Sequence, residues 1–358
     1  MHAPLPPEAC AKDGLGSSDA TGGANVKFGA QFLAEDFHDC MESVQVAERA
    51  GFSHAWFVDS QILWQDCYVY MAQALAMTER IVLGTAVSNP FTRHPTVTAS
   101  VNATLAELYP GRLIVGLGRG DSAVRTMGLN PVPTKELRAA VPVIRALMAG
   151  ETTEINDAEV HFRWRKEGPP VPIALSATGP KNLRAAGALA DIVMIYVGVH
   201  PENVSWAINH IRAGAADAGR DPDSVKVSVL CGLEVSDDRA AAQDAVRWAA
   251  AACANHIGDT MTRNPAHGMP ATMTRLVDAR IQHYDYYEGH LDSGADHTAF
   301  LTPELIDDFA IAGPPEHCLE MIQALAELGV WEVSSAYYNG RNDQLERVGR
   351  EVIGPLQA

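Results

Sequence analysis

The chain has 358 residues, 47% of them hydrophobic and 20% charged, and a formal net charge of -17. That length and mix suit one large globular domain or two ordinary ones, and the acidic balance excludes nucleic acid and anionic membrane as partners. No apolar run reaches the length of a membrane span, and residues 1–25 lack the basic start and apolar core of a secretory signal. They read as a flexible leader of small residues, Pro and Gly, on a cytoplasmic protein. Six scattered cysteines without a C-x-x-C pair fit buried thiols in a reducing compartment better than a disulfide frame or a zinc site.

From residue 26 onward, apolar runs of strand length alternate with helical patterns. KFGAQFLA (27–34) predicts a strand, and Phe37 to Ala50 an amphipathic helix stopped by Gly51. HAWFVDS (54–60) predicts the second strand and 67–78 its helix. RIVLGTAVS (80–88) is the third, followed by a helix with Pro95 in its first turn. RLIVGLG (112–118) leads to a helix capped by Thr134 and stopped by Gly150. VPIALSA (171–177), DIVMIYVGV (191–199), VKVSVLCGLEV (225–235) and WEVSSAYY (331–338) continue the pattern, with a last helix over 343–353. Near-continuous apolar strands belong to sheets covered on both faces. Eight strand–helix units in one chain of this length predict a closed (β/α)8 TIM barrel rather than a doubly wound sheet.

One segment breaks the rhythm. Residues 258–300 are rich in Gly, His, Asp and Tyr and precede the last strand. An insertion there reads as a lid over the mouth where barrel active sites lie, or as a dimer-contact arm. His283, His290 and His297 recur within it among glycines that interrupt a helix, so a solvated loop is the better reading and no metal site is expected.

The stretch VGLGRGDSAV (115–124) resembles a dinucleotide phosphate loop. A Rossmann fingerprint needs G-x-G-x-x-G after the first strand and an acidic residue about 20 positions on. Here the spacing is G-x-G-x-G and the strand is the fourth, so Gly116, Gly118 and Gly120 read as a turn that lets a flat ligand approach the backbone.

Polar residues gather at strand ends: Asp59 and Ser60, Ser88 and Asn89, Asp121 and Ser122. Such positions carry barrel chemistry, but each residue is also suited to cap the following helix. Arg93 and His94 lie between a strand end and a helix start, placed to hold an anion or donate a proton, or simply to brace their own loop. SATGPKN (176–182) offers Ser176, Thr178 and the amides around Gly179 as a phosphate seat, with capping by Thr178 the alternative.

Taken together, KFGAQF, AVSNPFTRHPTVTASVNATLAEL, GRLIVGLGRGD, IALSATGPKNLRAAGALAD and AGPPEHCLEMIQALAELGV resemble the luciferase-like superfamily of flavin-dependent barrels, and within it the methylene-tetrahydromethanopterin reductases. The resemblance implies a flavin or 5-deazaflavin across the mouth, its ring against Ala86, Val87 and Ser88. The family carries a non-prolyl cis peptide there, matching Ala86–Val87. Gly116, Gly118 and Gly120 would line the cofactor's side chain, and Ser176, Ala177, Thr178, Gly179 and Gly198 the phosphate region.

Candidate catalytic groups are Asp59, Asn89, Arg93, His94 and Asp121, with Tyr284, Tyr286 and His290 from the insertion. Gln31 and Ser60 stand where the pterin reductases carry an acidic residue and a histidine, which points away from pterin. The first reading is therefore a monooxygenase of a small organic substrate, using reduced FMN from a separate flavin reductase. The alternative is a reductase using deazaflavin (coenzyme F420) to pass hydride to a C=N or C=C bond. A non-catalytic flavin-binding protein is a second alternative, and family habit implies a homodimer.

Overall fold

The computed structural model describes residues 26–263, 268–283, 298, 300–337 and 340–357. The leader and the insertion residues Tyr284, Tyr286, His290 and His297 lie outside them.

The first half of the chain alternates strand and helix. It runs β1 (Lys27–Phe32), α1 (Phe37–Arg49), β2 (His54–Phe57), α2 (Cys67–Met77), β3 (Val82–Thr85), α3 (Pro95–Leu108) and β4 (Leu113–Leu117). A short α4 (Ser122–Arg125) and a longer α5 (Thr134–Ala149) follow. A small antiparallel hairpin, β5 (Thr153–Ile155) and β6 (Ala158–Val160), precedes β7 (Ile173–Ala177). Then come α6 (Pro180–Leu189), β8 (Ile192–Ile195), α7 (Pro201–Asp217) and the long β9 (Lys226–Val235). The last third holds α8 (Arg239–Arg263), α9 (Ala271–His283), α10 (Pro303–Phe309), β10 (Ala310–Gly313), α11 (Pro315–Glu327) and β11 (Glu332–Ala336). The chain closes with α12 (Asn342–Val348) and α13 (Gly354–Gln357).

The eight anticipated strands form the barrel. Parallel pairings run from β1 through β2, β3, β4, β7, β8 and β9 to β11, which pairs back onto β1. This is a closed (β/α)8 TIM barrel. β10 is an addition, pairing only with the upper residues Gly232–Val235 of β9.

The core is layered. Strand residues that face outward pack under the helices, while Trp56, Ile114, Ala174, Ile192 and Met194 form a separate cluster inside the barrel. Beside Trp56 lies a fully buried carboxylate, Glu332, at the start of β11. It accepts from the Trp56 indole at 3.2 Å and the Ser228 hydroxyl at 2.5 Å, and has His54 Nδ1 at 2.8 Å. Burying a charge demands such partners. This plug sits at the N-terminal ends of β2 and β11, so the open end of the barrel is the C-terminal one.

Two local expectations change. Thr134 does not cap α5, since Pro133 holds the N-cap position and no side chain caps it; the Thr134 hydroxyl donates to Asn182 Oδ1 at 2.7 Å instead. The segment expected to leave the helical pattern at 258 begins inside α8, which runs on to Arg263. Gly150 does end α5 in a left-handed conformation (φ 84°), as glycine permits.

Candidate functional site

Beyond β2, Asp59 is nearly fully buried, and its Oδ2 accepts from the Ser88 hydroxyl at 2.6 Å and from Arg93 Nε at 3.0 Å. Arg93 reaches on to Asp66 Oδ2 at 2.7 Å and lies over the Tyr68 ring, 4.8 Å from its centre. Burial alone would lower the Arg93 pKa, but the hydrogen bonds it donates to Asp59 and Asp66 outweigh it and raise it. The guanidinium is therefore a fixed charge. With its carboxylate engaged from two sides, Asp59 is a brace, and what it braces is the end of β3.

That end is where the Ala86–Val87 peptide is cis. Ser88 N–H donates to the Gly116 carbonyl at 2.9 Å, and Gly118 N–H donates back to the Ser88 carbonyl at 2.8 Å. Gly116 is required by this close approach, because a Cβ there would fall 1.6 Å from the Thr85 carbonyl oxygen. Gly118 leaves the space a side chain would take from Val87, whose Cγ2 lies 2.6 Å from the missing Cβ position.

In front of these strand ends lies a cleft of about 220 Å³. It has three walls. The turn after β4 supplies Gly118, Arg119, Gly120 and Asp121, and α4 supplies Arg125; the turn after β7 with the start of α6 supplies Ser176 to Asn182; α8 supplies His256, Asp259 and Thr260. Val87 forms part of the floor. α8 reaches the cleft by running along the rim, with the Tyr196 hydroxyl donating to its Ala249 carbonyl at 2.8 Å and Thr260 Cγ2 lying 2.6 Å from where a Gly179 Cβ would stand.

The α6 wall is cationic. Gly179 is the N-cap residue and, among the described residues, no side chain caps the helix or accepts from its first-turn amides; Lys181 stands beside them. An uncapped helix start with a lysine suits a phosphate.

The structure thus brings Val87, Gly118, Gly120, Asp121, Ser176, Ala177, Thr178 and Gly179 into one cleft. The others sit elsewhere. Asp59, Ser88 and Arg93 brace the floor from behind. Asn89 is buried, its Oδ1 accepting from the Phe91 and Thr92 amides, so it closes its own loop. Exposed His94 caps α3 through Nδ1, which accepts from Thr96 N–H at 3.3 Å. Ala86 packs against the cluster inside the barrel. Gly198 (φ 81°) is pressed against Phe309, whose Cδ1 lies 2.5 Å from the missing Cβ. Ser60 donates to the Ser122 hydroxyl at 3.0 Å, and no side chain caps α4.

Sequence reasoning missed Arg119, Arg125, Lys181, Asn182, His256, Asp259 and Thr260. Lys181 and Asn182 were within reach, since they are the last two residues of the phosphate-seat motif SATGPKN itself. The α8 residues carried no such signal. Outside the cleft, Glu234 near the end of β9 is also notable: burial pushes its carboxyl above the usual range despite Arg341 at 2.8 Å.

The model of the family described as luciferase-like monooxygenase matches residues 15–332. The chain belongs to this family. As a luciferase-like barrel it is an oxidoreductase. The 5,10-methylenetetrahydromethanopterin reductase of Methanolobus tindarius is 30% identical over 337 residues, covering 92% of this chain and 100% of that one. The F420-dependent glucose-6-phosphate dehydrogenase of Beutenbergia cavernae is 28% identical, covering 93% and 98%. The solved structure of the coenzyme F420-dependent tetrahydromethanopterin reductase of Methanopyrus kandleri matches with a TM-score of 0.74 at 25% identity, covering 93% and 99%.

Proposed function

We propose that this luciferase-like enzyme is a deazaflavin-dependent oxidoreductase that moves a hydride between coenzyme F420 and a small organic substrate. The observation that carries this is the end-to-end similarity to relatives named as F420-dependent. It favours the deazaflavin alternative over the reduced-FMN monooxygenase that the sequence put first. The cleft fits such a cofactor: a floor kept open by Gly118, a cationic α6 start for a phosphate, and Thr178 and Asn182 beside it.

Bound there, the deazaflavin would supply the two-electron chemistry, accepting or donating hydride. The chain's own residues position and shield. The α6 amides, Lys181 and Thr178 hold the anionic group, and the Asp59–Ser88 bond fixes the β3 end. Gln31, on β1, donates through Nε2 to Ser334 Oγ on β11 at 3.4 Å. Gln31 offers a polar amide where the related pterin reductases have an acid, so it can orient a substrate but cannot take its proton. The substrate is accordingly read as something other than a pterin.

The enzyme is read as a homodimer through the α2–α3 side. Of the ten large apolar side chains exposed among the described residues, eight fall between Ile62 and Leu129, on these helices or the loops near them. α2 carries no charged residue and α3 only Glu107, so this is the face on which two chains of net charge -17 can meet.

An anaerobic assay of reduced F420 with C=N, C=C and carbonyl compounds tests the proposal. Substrate-linked oxidation of the deazaflavin without O2 is expected. Substrate-linked O2 uptake that requires reduced FMN contradicts it.

A further inference from the structure

Glu332 is a fully buried acid that stands outside the cleft lining. One of its oxygens accepts from the Trp56 indole N–H at 3.2 Å and the other from the Ser228 hydroxyl at 2.5 Å. The indole, itself fully buried, runs from that carboxylate past β1 to β3. Its nitrogen lies 2.7 Å from where a Gly29 Cβ would stand, and its Cζ3 fills the space a Gly84 Cβ would need. Two glycines thus make room for one flat plate across the barrel. Just past Gly84, Ala86 and Val87 pack against the cluster that Trp56 heads, and Val87 lines the cleft. A chain of contacts therefore runs from Glu332 through Trp56 to the cleft floor. Packing alone confines the plate to its slot; the indole N–H, a donor only, fixes its tilt by bonding Glu332.

Resting on the deazaflavin reading, we propose that Glu332 is a positioning residue for the cofactor site: by holding the Trp56 indole it sets the height of the Ala86–Val87 floor. Any flat ligand seated in the cleft meets that floor at Val87. The role needs an acceptor, not a charge. Glutamine serves it, because Trp56 only donates whereas the Ser228 hydroxyl also accepts, so the amide turns its oxygen to the indole and its NH2 to the hydroxyl. Leucine does not serve it. Ser228 bonds the same carboxylate from β9, but through the oxygen that Trp56 does not use. Losing the serine therefore removes a bond to Glu332 and leaves the bond to the plate.

The test is fluorescence titration with F420, alongside urea unfolding, on the wild type, Glu332→Gln, Glu332→Leu, Trp56→Phe and Ser228→Ala. Glu332→Leu and Trp56→Phe are each expected to weaken F420 about five- to tenfold, the scale of one buried hydrogen bond, and to shift the emission of the bound deazaflavin. Their double variant is expected to bind no more weakly than either single one, because the pair acts as a unit. Glu332→Gln is expected to stay within about twofold of wild type with unchanged emission. Ser228→Ala is expected to lose stability while keeping both affinity and emission. Should Glu332→Leu fail to fold, Trp56→Phe against Ser228→Ala decides the matter. Trp56→Phe or folded Glu332→Leu keeping F420 affinity within about twofold overturns the proposal, as does Ser228→Ala or Glu332→Gln weakening it as far as they do. A wild type that binds no F420 overturns the deazaflavin reading itself, and this inference with it.

Discussion

Asp59→Asn separates a brace from a catalytic acid. The substitution keeps the shape but replaces a carboxylate that holds Ser88 at 2.6 Å and Arg93 at 3.0 Å with a neutral amide. Removing one partner of a buried ion pair costs about 3–5 kcal/mol when the other charge is left stranded. Arg93 is not stranded, since it keeps Asp66 at 2.7 Å and 19% of its side chain is exposed. The expected loss is therefore about 2–3 kcal/mol, of which about 1–2 should appear as coupling in a double-mutant cycle with Arg93→Gln. Urea unfolding of the two single variants and the double variant measures it. Because Ser88 is tied to Gly116 and Gly118 through its backbone, the same substitution is expected to weaken deazaflavin binding about tenfold, a cost of about 1.4 kcal/mol. A loss under about 0.5 kcal/mol, additive with Arg93→Gln and without effect on binding, refutes the bracing argument.

Three further outcomes are expected. Burial would raise the Glu48 carboxyl, but hydrogen bonds from the backbone N–H groups of Arg80, Ile81 and Glu79 outweigh it and hold its pKa low. Its stabilisation is present above the unfolded carboxyl range and lost as pH falls through the lower folded value. Glu48→Gln should then cost about 1–2 kcal/mol at neutral pH, and in chemical unfolding the difference from wild type should close as pH falls through the lowered folded value. Gly116→Ala, with its Cβ driven into the Thr85 carbonyl, should cost at least about 3 kcal/mol or prevent folding, read by thermal melting and soluble yield. Val69→Glu with Val97→Glu should turn the proposed dimer into a folded monomer by light scattering; a wild type that is already monomeric at micromolar concentration refutes the α2–α3 interface.

The barrel was legible because its strands are short, continuous apolar runs and its helices end at Gly51 and Gly150. The site was legible in part, for reasons that lie in local competition. Asn89 and His94 stand at strand-end positions as barrel chemistry requires, yet the backbone donors of their own loop and helix claim them. Gly116 looked like a ligand contact in the glycine turn, whereas the close packing of β3 on β4 explains it. The third wall of the cleft left no trace. Residues 239–263 are rich in alanine with apolar positions spread around the helix, so periodicity does not say which face meets the mouth. His256 and Asp259 become cleft residues only because α8 follows the rim from β9 to the turn after β4. Thr134 shows the same limit at smaller scale: its capping pattern is plain, but a nearer partner, Asn182, comes from 48 residues away.

Parallel titration of the purified protein with F420 and with FMN, in their oxidised forms, tests the central claim most directly. The account predicts micromolar or tighter binding of F420, about 8 kcal/mol or more, with FMN at least about tenfold weaker. FMN binding tighter than F420, or neither binding below about millimolar, contradicts it.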